Sequence, residues 1–159
     1  MAMNIKLIVI GKTDEKYLQQ GIDVYVERLK HYVNFEMVVI PALKDQKGAS
    51  RDEVKEREAV LLLRQLEKCD RIVLLDEHGA QHTSVEFSQY IQKQMNAGLR
   101  NIAFVVGGAF GFAPCVYAIA NDKLSLSKMT FNHQMVRLFF VEQLYRAFSI
   151  LRNEPYHNE

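Results

Sequence analysis

Residues 125–140 read SLSKMTFNHQMVRLFF and place a polar loop directly before a helix that is apolar on nearly every side. Hydroxyl groups, one Lys, one Asn and one His supply the polar positions of the loop, and Leu126, Met129 and Phe131 alternate with them. We expect one side of the loop to pack against the protein while the other side offers small hydrogen-bonding groups. The stretch therefore predicts a ligand-binding loop that leads into a buried helix.

The helix after this loop is predicted to begin at Asn132, a good N-cap residue, and to run to about Arg152. Asn153 and Pro155 then end it. Its apolar residues leave almost no polar stripe: Val136, Leu138, Phe139, Phe140, Val141, Leu144, Tyr145, Phe148, Ile150 and Leu151. A helix that is apolar all round must be buried on two sides, and a sheet can cover only one of them. We therefore predict a homodimer through this helix.

Continuous apolar runs upstream of the loop are predicted to be buried strands. They are IKLIVIG ending at Gly11, RIVLLD ending at Asp76 and NIAFVVGG ending at Gly108. Continuous apolar residues, as opposed to alternating ones, are typical of a parallel sheet that is covered on both faces. Residues 35–41 add a strand, and a brief strand lies within 121–129.

Segments of helical periodicity alternate with these strands. Apolar residues recur three and four positions apart over 14–31 and 52–66, and further helices are predicted over 84–95 and after Pro114. This alternation predicts an α/β fold with a largely parallel sheet and helices on both faces. The 159 residues show no internal repeat and no linker, so we expect one domain over 1–159.

The composition argues against several classes of protein. The formal net charge is +1, so any contact with RNA has to be local or assembled across subunits. Cys69 and Cys115 lack the spacing of a disulfide framework or a zinc site and suit a reducing compartment. The apolar run near the N-terminus is too short for a signal sequence or a membrane span, so we expect a cytoplasmic protein with no membrane partner.

The glycine-rich sequence GGAFG, 107–111, follows a predicted strand and suggests a nucleotide site, because glycines let main-chain amides approach a ligand. It does not match GxGxxG in either frame, and the chain has no P-loop motif, so dinucleotide and P-loop sites are disfavoured. A tight turn without a ligand is the alternative interpretation.

Two further groups of residues have competing interpretations. Asp76, at the end of a strand, is a candidate phosphoacceptor, a ribose ligand or a cap of the following turn. His78 and His82 have a spacing found in metal sites, but Gly79 and Gln81 predict a loop and no third ligand is nearby in sequence. No metal is expected.

Two arginines interrupt the apolar helix. Arg137 and Arg146 are nine residues apart, so they lie on roughly opposite faces and cannot share one task within a subunit. Glu142 precedes Arg146 by four residues, which suits an ion pair. In the tail, Tyr156 and His157 are either a chance pair or a nucleobase contact.

Four motifs at their present spacing resemble the ribosomal RNA large-subunit methyltransferase H family of the SPOUT class: GGAFG, LSLSKMTFNHQMVR, EQLYRAF and PYH. The resemblance extends from IKLIVIGK to PYH. It implies a homodimer, a C-terminal trefoil knot over about 103–155 and S-adenosylmethionine as cofactor. It also implies methylation of N3 of a pseudouridine in 23S rRNA of the large subunit, on the assembled ribosome.

The resemblance also implies roles for individual residues. The implied cofactor-binding residues are Leu75, Gly107, Leu126, Ser127, Lys128, Met129, Thr130 and Phe131. The implied catalytic residues are Arg146, Tyr156 and His157. Asn132 stands where members of the family have Pro, which keeps a helix start, and Asn158 stands where some members have Arg, which weakens one expected phosphate contact.

Three alternative functions fit parts of the sequence. The same fold and cofactor can serve tRNA or another rRNA site, although a short chain without an added RNA-binding domain favours a substrate presented by a large assembly. A receiver-like domain would use Asp76 with Asp14 and Glu15, but it leaves the glycine turn and the last helix unexplained. A non-catalytic ribosome-binding protein would transfer no methyl group even with ribosomes present.

Overall fold

The structure is a computed structural model that describes residues 3–43 and 47–158. Within them, one sheet is formed by the parallel strands β1 (Asn4–Ile10), β2 (Asn34–Ile40), β3 (Arg71–Gln81), β4 (Asn101–Val106) and β5 (Asp122–Ser125). The strand order is β2-β1-β4-β3-β5. The predicted parallel α/β sheet is confirmed.

Helices cover both faces of this sheet. They are α1 (Lys16–Leu29), α2 (Arg51–Leu66), α3 (Ser84–Asn96), α4 (Pro114–Ile119) and α5 (Met135–Leu151). One hydrophobic cluster joins α1, α3 and α5 to the sheet through residues such as Ile22, Phe140 and Leu7 of β1. A second cluster joins α2 and α4 to the sheet through Leu62 and through Ile8 of β1. Successive residues of β1 enter different clusters because a strand points its side chains to alternate faces.

The last helix, α5, is buried largely by its own chain. α1 and α3 both pack against it, and its apolar residues join the same cluster as the sheet. Gly21 permits the close approach of α1, because a Cβ there would lie 3.0 Å from Cδ1 of Leu138. Met135 and Phe139 stay exposed, at 38% and 36%. Most of the apolar surface of α5 is therefore covered within one chain, and the homodimer stays a prediction that rests on the exposed remainder.

The start of α5 differs in detail from the prediction. The regular helix begins at Met135, with Gln134 in the N-cap position. Asn132 lies further upstream, where its Oδ1 accepts a hydrogen bond from the N–H of Gln134 at 2.7 Å and its carbonyl accepts one from Val136 at 3.1 Å. Asn132 therefore closes the turn that leads into the helix. The helix ends as predicted before Asn153, whose φ is +55°.

β3 continues beyond the predicted end at Asp76. Its pairing with β5 shifts register between Leu75 and Ala80, which marks an irregularity in the strand. Gly79 permits it, because a Cβ at this position would lie 2.6 Å from the main-chain N of Leu124 in β5. A larger residue at this position would push β5 away from β3.

Candidate active site

A cavity of about 690 Å³ opens where the strands end. Its walls are residues 75–78 of β3, the turn at 107–111 (the glycine turn), and the end of β5 with the loop that follows it. Ligands of parallel α/β sheets bind at this edge of the sheet. Every predicted cofactor residue except Lys128 lines the cavity: Leu75, Gly107, Leu126, Ser127, Met129, Thr130 and Phe131. The Lys128 side chain is exposed on the same loop and is not part of the wall.

The glycine turn presents main-chain atoms to the cavity. The N–H of Gly111 donates to the carbonyl of Gly108 at 3.1 Å, and Gly111 has a φ of +85° that favours glycine. A Cβ on Gly107 would lie 3.1 Å from Cζ of Phe112, and a Cβ on Gly108 would lie 2.6 Å from Oε2 of Glu58. Side chains larger than hydrogen therefore do not fit at these two positions without movement of their neighbours.

Two carboxylates of β3 line the same cavity. Asp76 accepts hydrogen bonds from the hydroxyl of Tyr117 and from the main-chain N–H of His78, which lies two residues further along β3. Glu77 accepts a hydrogen bond from the hydroxyl of Thr130 at 2.9 Å, which ties β3 to the loop before α5. Burial, followed by the hydrogen bond to Asp76, raises the pKa of Tyr117 to about 12, because both favour the neutral phenol.

A basic side chain and an aromatic ring also line the cavity. Arg51 of α2 places its guanidinium carbon 5.3 Å from the ring centre of Phe110, at the tip of the glycine turn. Phe110 is 42% exposed. Lys55, one turn further along α2, lines the cavity as well. The cavity therefore offers carboxylates, cationic groups and apolar surface to a ligand.

The loop at 125–131 is held by its own hydroxyl groups. Ser125 donates from Oγ to the carbonyl of Ser127 at 2.8 Å, and Oγ of Ser127 accepts from the N–H of Met129 at 3.0 Å. Leu126 packs against the hydrophobic cluster that joins α1, α3 and α5 to the sheet. The ring centre of Phe131 lies 4.9 Å from that of Phe139.

One expectation about this loop is wrong. The alternating pattern predicts that Met129 packs against the protein, but Met129 is 76% exposed. It lies at the cavity wall, so its exposed side chain is available to a ligand.

The predicted catalytic residues Arg146, Tyr156 and His157 come together beside Glu142, and we call these four residues the Arg146 cluster. Nη2 of Arg146 lies 2.8 Å from Oε2 of Glu142, and Nη1 lies 3.1 Å from Nδ1 of His157. The hydroxyl of Tyr156 donates to Oε2 of Glu142 at 2.8 Å. The ring centre of Tyr156 lies 4.7 Å from the guanidinium carbon. The fold therefore fixes the C-terminal tail against α5.

Burial and the contacts with Glu142 shift the pKa values of Arg146 and Tyr156. Burial alone would lower the pKa of Arg146, but the hydrogen bond and the charge of Glu142 outweigh burial and raise it. Burial, followed by hydrogen bonds to Tyr25 and Glu142, raises the pKa of Tyr156. The cluster therefore combines a permanent positive charge with a neutral phenol that donates a hydrogen bond.

Arg137 has a separate, structural set of partners. It is 1% exposed, and its guanidinium donates to the carbonyls of Ile10 and Gly11, each at 2.8 Å, and to Oγ1 of Thr13 at 3.2 Å. These bonds explain a buried arginine in an apolar helix. As the spacing predicts, Arg137 takes no part in the Arg146 cluster.

A second cavity of about 260 Å³ adjoins the first. Leu124, Ser125, Leu126 and Phe131 line both cavities, and Glu142 lines the smaller one. The three predicted catalytic residues do not line the larger cavity. Within one chain, the cofactor residues and the catalytic residues are thus two separate groups, connected through the smaller cavity.

Glu58 and Tyr25 contact the site but were not predicted from the sequence. Glu58 is 7% exposed and abuts the glycine turn, and the hydroxyl of Tyr25 lies 3.1 Å from that of Tyr156. Glu58 lies four residues after Val54 and four before Leu62, on the buried face of α2. This helical spacing identifies it as a carboxylate that points into the protein. No local pattern reveals the contact of Tyr25, since its partner is remote in sequence.

No group of three or more His, Cys, Asp or Glu side chains in the described part of the chain is arranged to hold a metal ion. His78 lies in β3 rather than in the predicted loop, and His82 follows the strand. None of the helices described within 3–43 and 47–158 is long and apolar enough to cross a membrane.

The sequence matches a family described as predicted SPOUT methyltransferases over residues 3–157. The chain is 55% identical over 156 residues to ribosomal RNA large subunit methyltransferase H of Christiangramia forsetii, with 98% of this chain and 99% of the relative covered. It is 54% identical over 157 residues to the protein of the same name from Flavobacterium johnsoniae, with 99% and 100% covered.

Solved structures share the fold at low sequence identity. A probable methylase family protein from Haemophilus influenzae Rd KW20 gives a TM-score of 0.59 at 14% identity, covering 100% of this chain and 72% of that one. A probable methyltransferase from Bordetella pertussis Tohama I gives 0.58 at 11% identity, covering 92% and 96%. At such identities the likeness shows the fold alone.

Proposed function

Because the chain belongs to the ribosomal RNA large-subunit methyltransferase H family of SPOUT methyltransferases, we propose that it methylates rRNA of the large ribosomal subunit. The acceptor in this proposal is N3 of a pseudouridine in 23S rRNA, the methyl donor is S-adenosylmethionine and the substrate is the assembled ribosome. The observation that carries the proposal is the meeting of Arg146, Tyr156 and His157 in one cluster.

The residues of the larger cavity fit S-adenosylmethionine. The volume of the cavity, about 690 Å³, falls in the range of about 300–1,000 Å³ that small-molecule sites occupy. Leu126 and Phe131 supply apolar surface suited to the adenine, and Gly107 leaves main-chain groups at the wall. Asp76 and Glu77 supply carboxylates that suit hydroxyl or ammonium donors. When bound, this cofactor supplies a methyl group that its positive sulfonium has already activated.

The main task left to the protein is to align the acceptor base. Holding two reactants in the correct geometry is worth roughly 7–11 kcal/mol of the barrier. Because Glu142 fixes both Arg146 and Tyr156 through hydrogen bonds of 2.8 Å, these two side chains are arranged before the substrate arrives. Tyr156 is proposed to stack on the base.

N3 of a pseudouridine carries a proton that must leave as the new bond to carbon forms. We assign Arg146 to the negative charge that develops on the carbonyls beside N3, since its guanidinium stays charged. A water molecule accepts the proton, or His157 does so at Nδ1 after it gives up the hydrogen bond from Arg146. Nδ1 of His157 lies 3.1 Å from Arg146, so the imidazole is held at the place where the charge develops.

The homodimer, the knot and the cytoplasmic location belong to the same proposal. Met135 and Phe139 form the exposed part of α5, and their apolar side chains suit a second copy of the chain. The trefoil knot over about 103–155 is expected from membership of the family. An rRNA substrate would place the protein with the ribosomes in the cytoplasm.

Arg146→Ala tests the division between the two groups of residues. We expect this change to lower the rate of methyl transfer at least about a hundredfold, which is the scale of losing one charge-stabilising donor. Affinity for S-adenosylmethionine, measured by titration calorimetry, should stay within about twofold because Arg146 does not line the cavity. Arg57→Ala on α2 is the control for loss of an arginine. An equal loss of cofactor affinity would show that Arg146 supports the cavity instead.

A further inference from the structure

Tyrosine rings and guanidinium groups form a continuous surface beside the Arg146 cluster. Tyr145 is its centre, with ring centres 5.8 Å from Tyr25, 5.9 Å from Tyr32 and 4.7 Å from Tyr156. The guanidinium carbon of Arg28 lies 5.4 Å from the ring centres of both Tyr25 and Tyr145. We call Tyr25, Tyr32 and Tyr145, together with Arg28 and Arg152, the arginine–tyrosine surface.

Arg152 completes this surface on its other side. Its guanidinium carbon lies 4.8 Å from the ring centre of Tyr32. Both Arg28 and Arg152 are exposed, whereas Tyr25, Tyr32 and Tyr145 are half-buried. The tyrosines are therefore a fixed base on which two exposed cations rest.

Acidic side chains near this surface are already engaged. Glu27 pairs with Lys30 at 2.9 Å, Glu154 accepts a hydrogen bond from the hydroxyl of Tyr32 at 2.7 Å, and Glu142 pairs with Arg146. Within the described residues, the guanidinium groups of Arg28 and Arg152 contact aromatic rings and make no ion pair. Their charge is thus available to an external anion.

A guanidinium that lies on a tyrosine keeps its N–H edge free for a phosphate and its other face free for a base. Single-stranded RNA is recognised through this combination of arginine planes, aromatic rings and phosphate contacts. With a net charge of only +1, the protein needs a local cationic site to hold RNA. The arginine–tyrosine surface adjoins Tyr156 and supplies such a site.

We propose that Arg28 and Arg152, supported by Tyr25, Tyr32 and Tyr145, bind an unpaired RNA segment that flanks the methylated base. This inference rests on the proposed function, because it assumes an RNA substrate whose target base reaches the Arg146 cluster. A merely structural role is the alternative: the arginines would then only cover the tyrosines and join α1 to the end of α5.

Fluorescence anisotropy with a labelled uridine-rich oligoribonucleotide, over a series of salt concentrations, separates these roles. Arg28→Ala/Arg152→Ala should weaken binding at least about tenfold at low salt, the scale of one lost stacked base. The slope of log affinity against log salt should fall by about 0.7 for each lost phosphate contact. Arg28→Lys should keep the salt slope but lose affinity, because lysine keeps the charge without the planar group.

Two controls guard against an effect on folding. Arg57→Ala removes an exposed arginine from α2, on the opposite face of the sheet, where Arg57 pairs with Glu53 at 3.8 Å. This variant should bind RNA like the unchanged protein. The double variant should keep its urea unfolding midpoint and its affinity for S-adenosylmethionine, since neither arginine lines the larger cavity.

Three results would overturn the proposal. The first is unchanged affinity and salt slope in the double variant. The second is no binding of the unchanged protein, at low salt, to either the oligoribonucleotide or assembled ribosomes. The third is equal affinity for a polyglutamate peptide of matched charge, because carboxylates offer no bases to stack.

The same experiments separate this proposal from the proposed function. An unchanged protein that binds RNA through Arg28 and Arg152 but transfers no methyl group to rRNA would refute the function and keep the surface. A double variant that binds and methylates ribosomes at the full rate would refute the surface alone.

Discussion

Gly108→Ala places a methyl group where the structure has no room for it. The new Cβ would lie 2.6 Å from Oε2, 2.7 Å from Oε1 and 3.0 Å from Cδ of Glu58. Ordinary carbon–oxygen contacts are longer, so either Glu58 or the glycine turn has to move. Glu58 is 7% exposed on α2, which restricts its escape. Overpacking of this kind costs about 1–3 kcal/mol of unfolding free energy.

Removal of the Glu58 side chain should relieve this clash. In Gly108→Ala/Glu58→Ala, the new methyl group on the glycine turn occupies space that the carboxylate has left. We expect the two changes to be coupled by at least about 1 kcal/mol, so that the double variant is more stable than the sum of the single variants predicts. Glu56→Ala, which truncates an exposed glutamate on the same helix, should give no such rescue.

Urea unfolding followed by circular dichroism measures the stability of each variant, and titration calorimetry measures its affinity for S-adenosylmethionine. Gly108 lines the larger cavity, so Gly108→Ala should weaken cofactor binding and Glu58→Ala should restore part of it. If Gly108→Ala is as stable as the unchanged protein, or if the two substitutions are additive, then the contact between the glycine turn and α2 does not exist as described.

Glu142→Gln removes the charge that fixes Arg146 and Tyr156. Hydrogen bonds to a charged group contribute about 1.5 kcal/mol, so the rate of methyl transfer should fall about tenfold. The affinity for the cofactor, measured by calorimetry, should stay constant. Burial raises the pKa of Glu58, so the folded state holds this proton more tightly than the unfolded state. The unfolding free energy should therefore decline as pH rises from the ordinary glutamate range toward the raised pKa, and Glu58→Gln should remove that part of the decline in urea unfolding across this window. Phe139→Glu should convert a dimer to monomers in sedimentation experiments, because it places a charge on the exposed apolar part of α5.

For each of these three predictions, a specific result would contradict it. A loss of cofactor affinity in Glu142→Gln would mean that the smaller cavity supports the larger one. A stability difference between Glu58→Gln and the unchanged protein that does not vary with pH would show that Glu58 titrates normally. A Phe139→Glu variant that stays dimeric would place the interface elsewhere.

The sheet could be predicted from sequence because its strands are nearly continuous apolar runs, such as the one ending at Gly11. Both faces of such a strand are buried, so nearly all of its residues are apolar and the strand can be recognised from the sequence alone. The end of β3 could not be predicted, since the residues after Asp76 rejoin the sheet through the pairing of Ala80 and Gln81 with β5, which the close approach of Gly79 to β5 permits. That approach depends on a strand far along the chain.

Some contacts of the candidate site could also be predicted from the sequence, and others could not. The spacing of Glu142 and Arg146 on one helix predicts their ion pair, and the structure has it at 2.8 Å. The partners of Arg137 are the carbonyls of Ile10 and Gly11, which no local pattern identifies. Alternation with polar residues predicts that Met129 packs, but alternation reports burial only where a second element covers the loop.

Incubation of the protein with radiolabelled S-adenosylmethionine tests the central claim most directly. The acceptors are assembled ribosomes, free ribosomal subunits and bulk tRNA, all from a strain that lacks this methyltransferase. We expect label in large-subunit rRNA only when assembled ribosomes are supplied. Label in tRNA would contradict the proposed substrate while keeping the cofactor, and an absence of label in every acceptor would contradict the proposed activity itself.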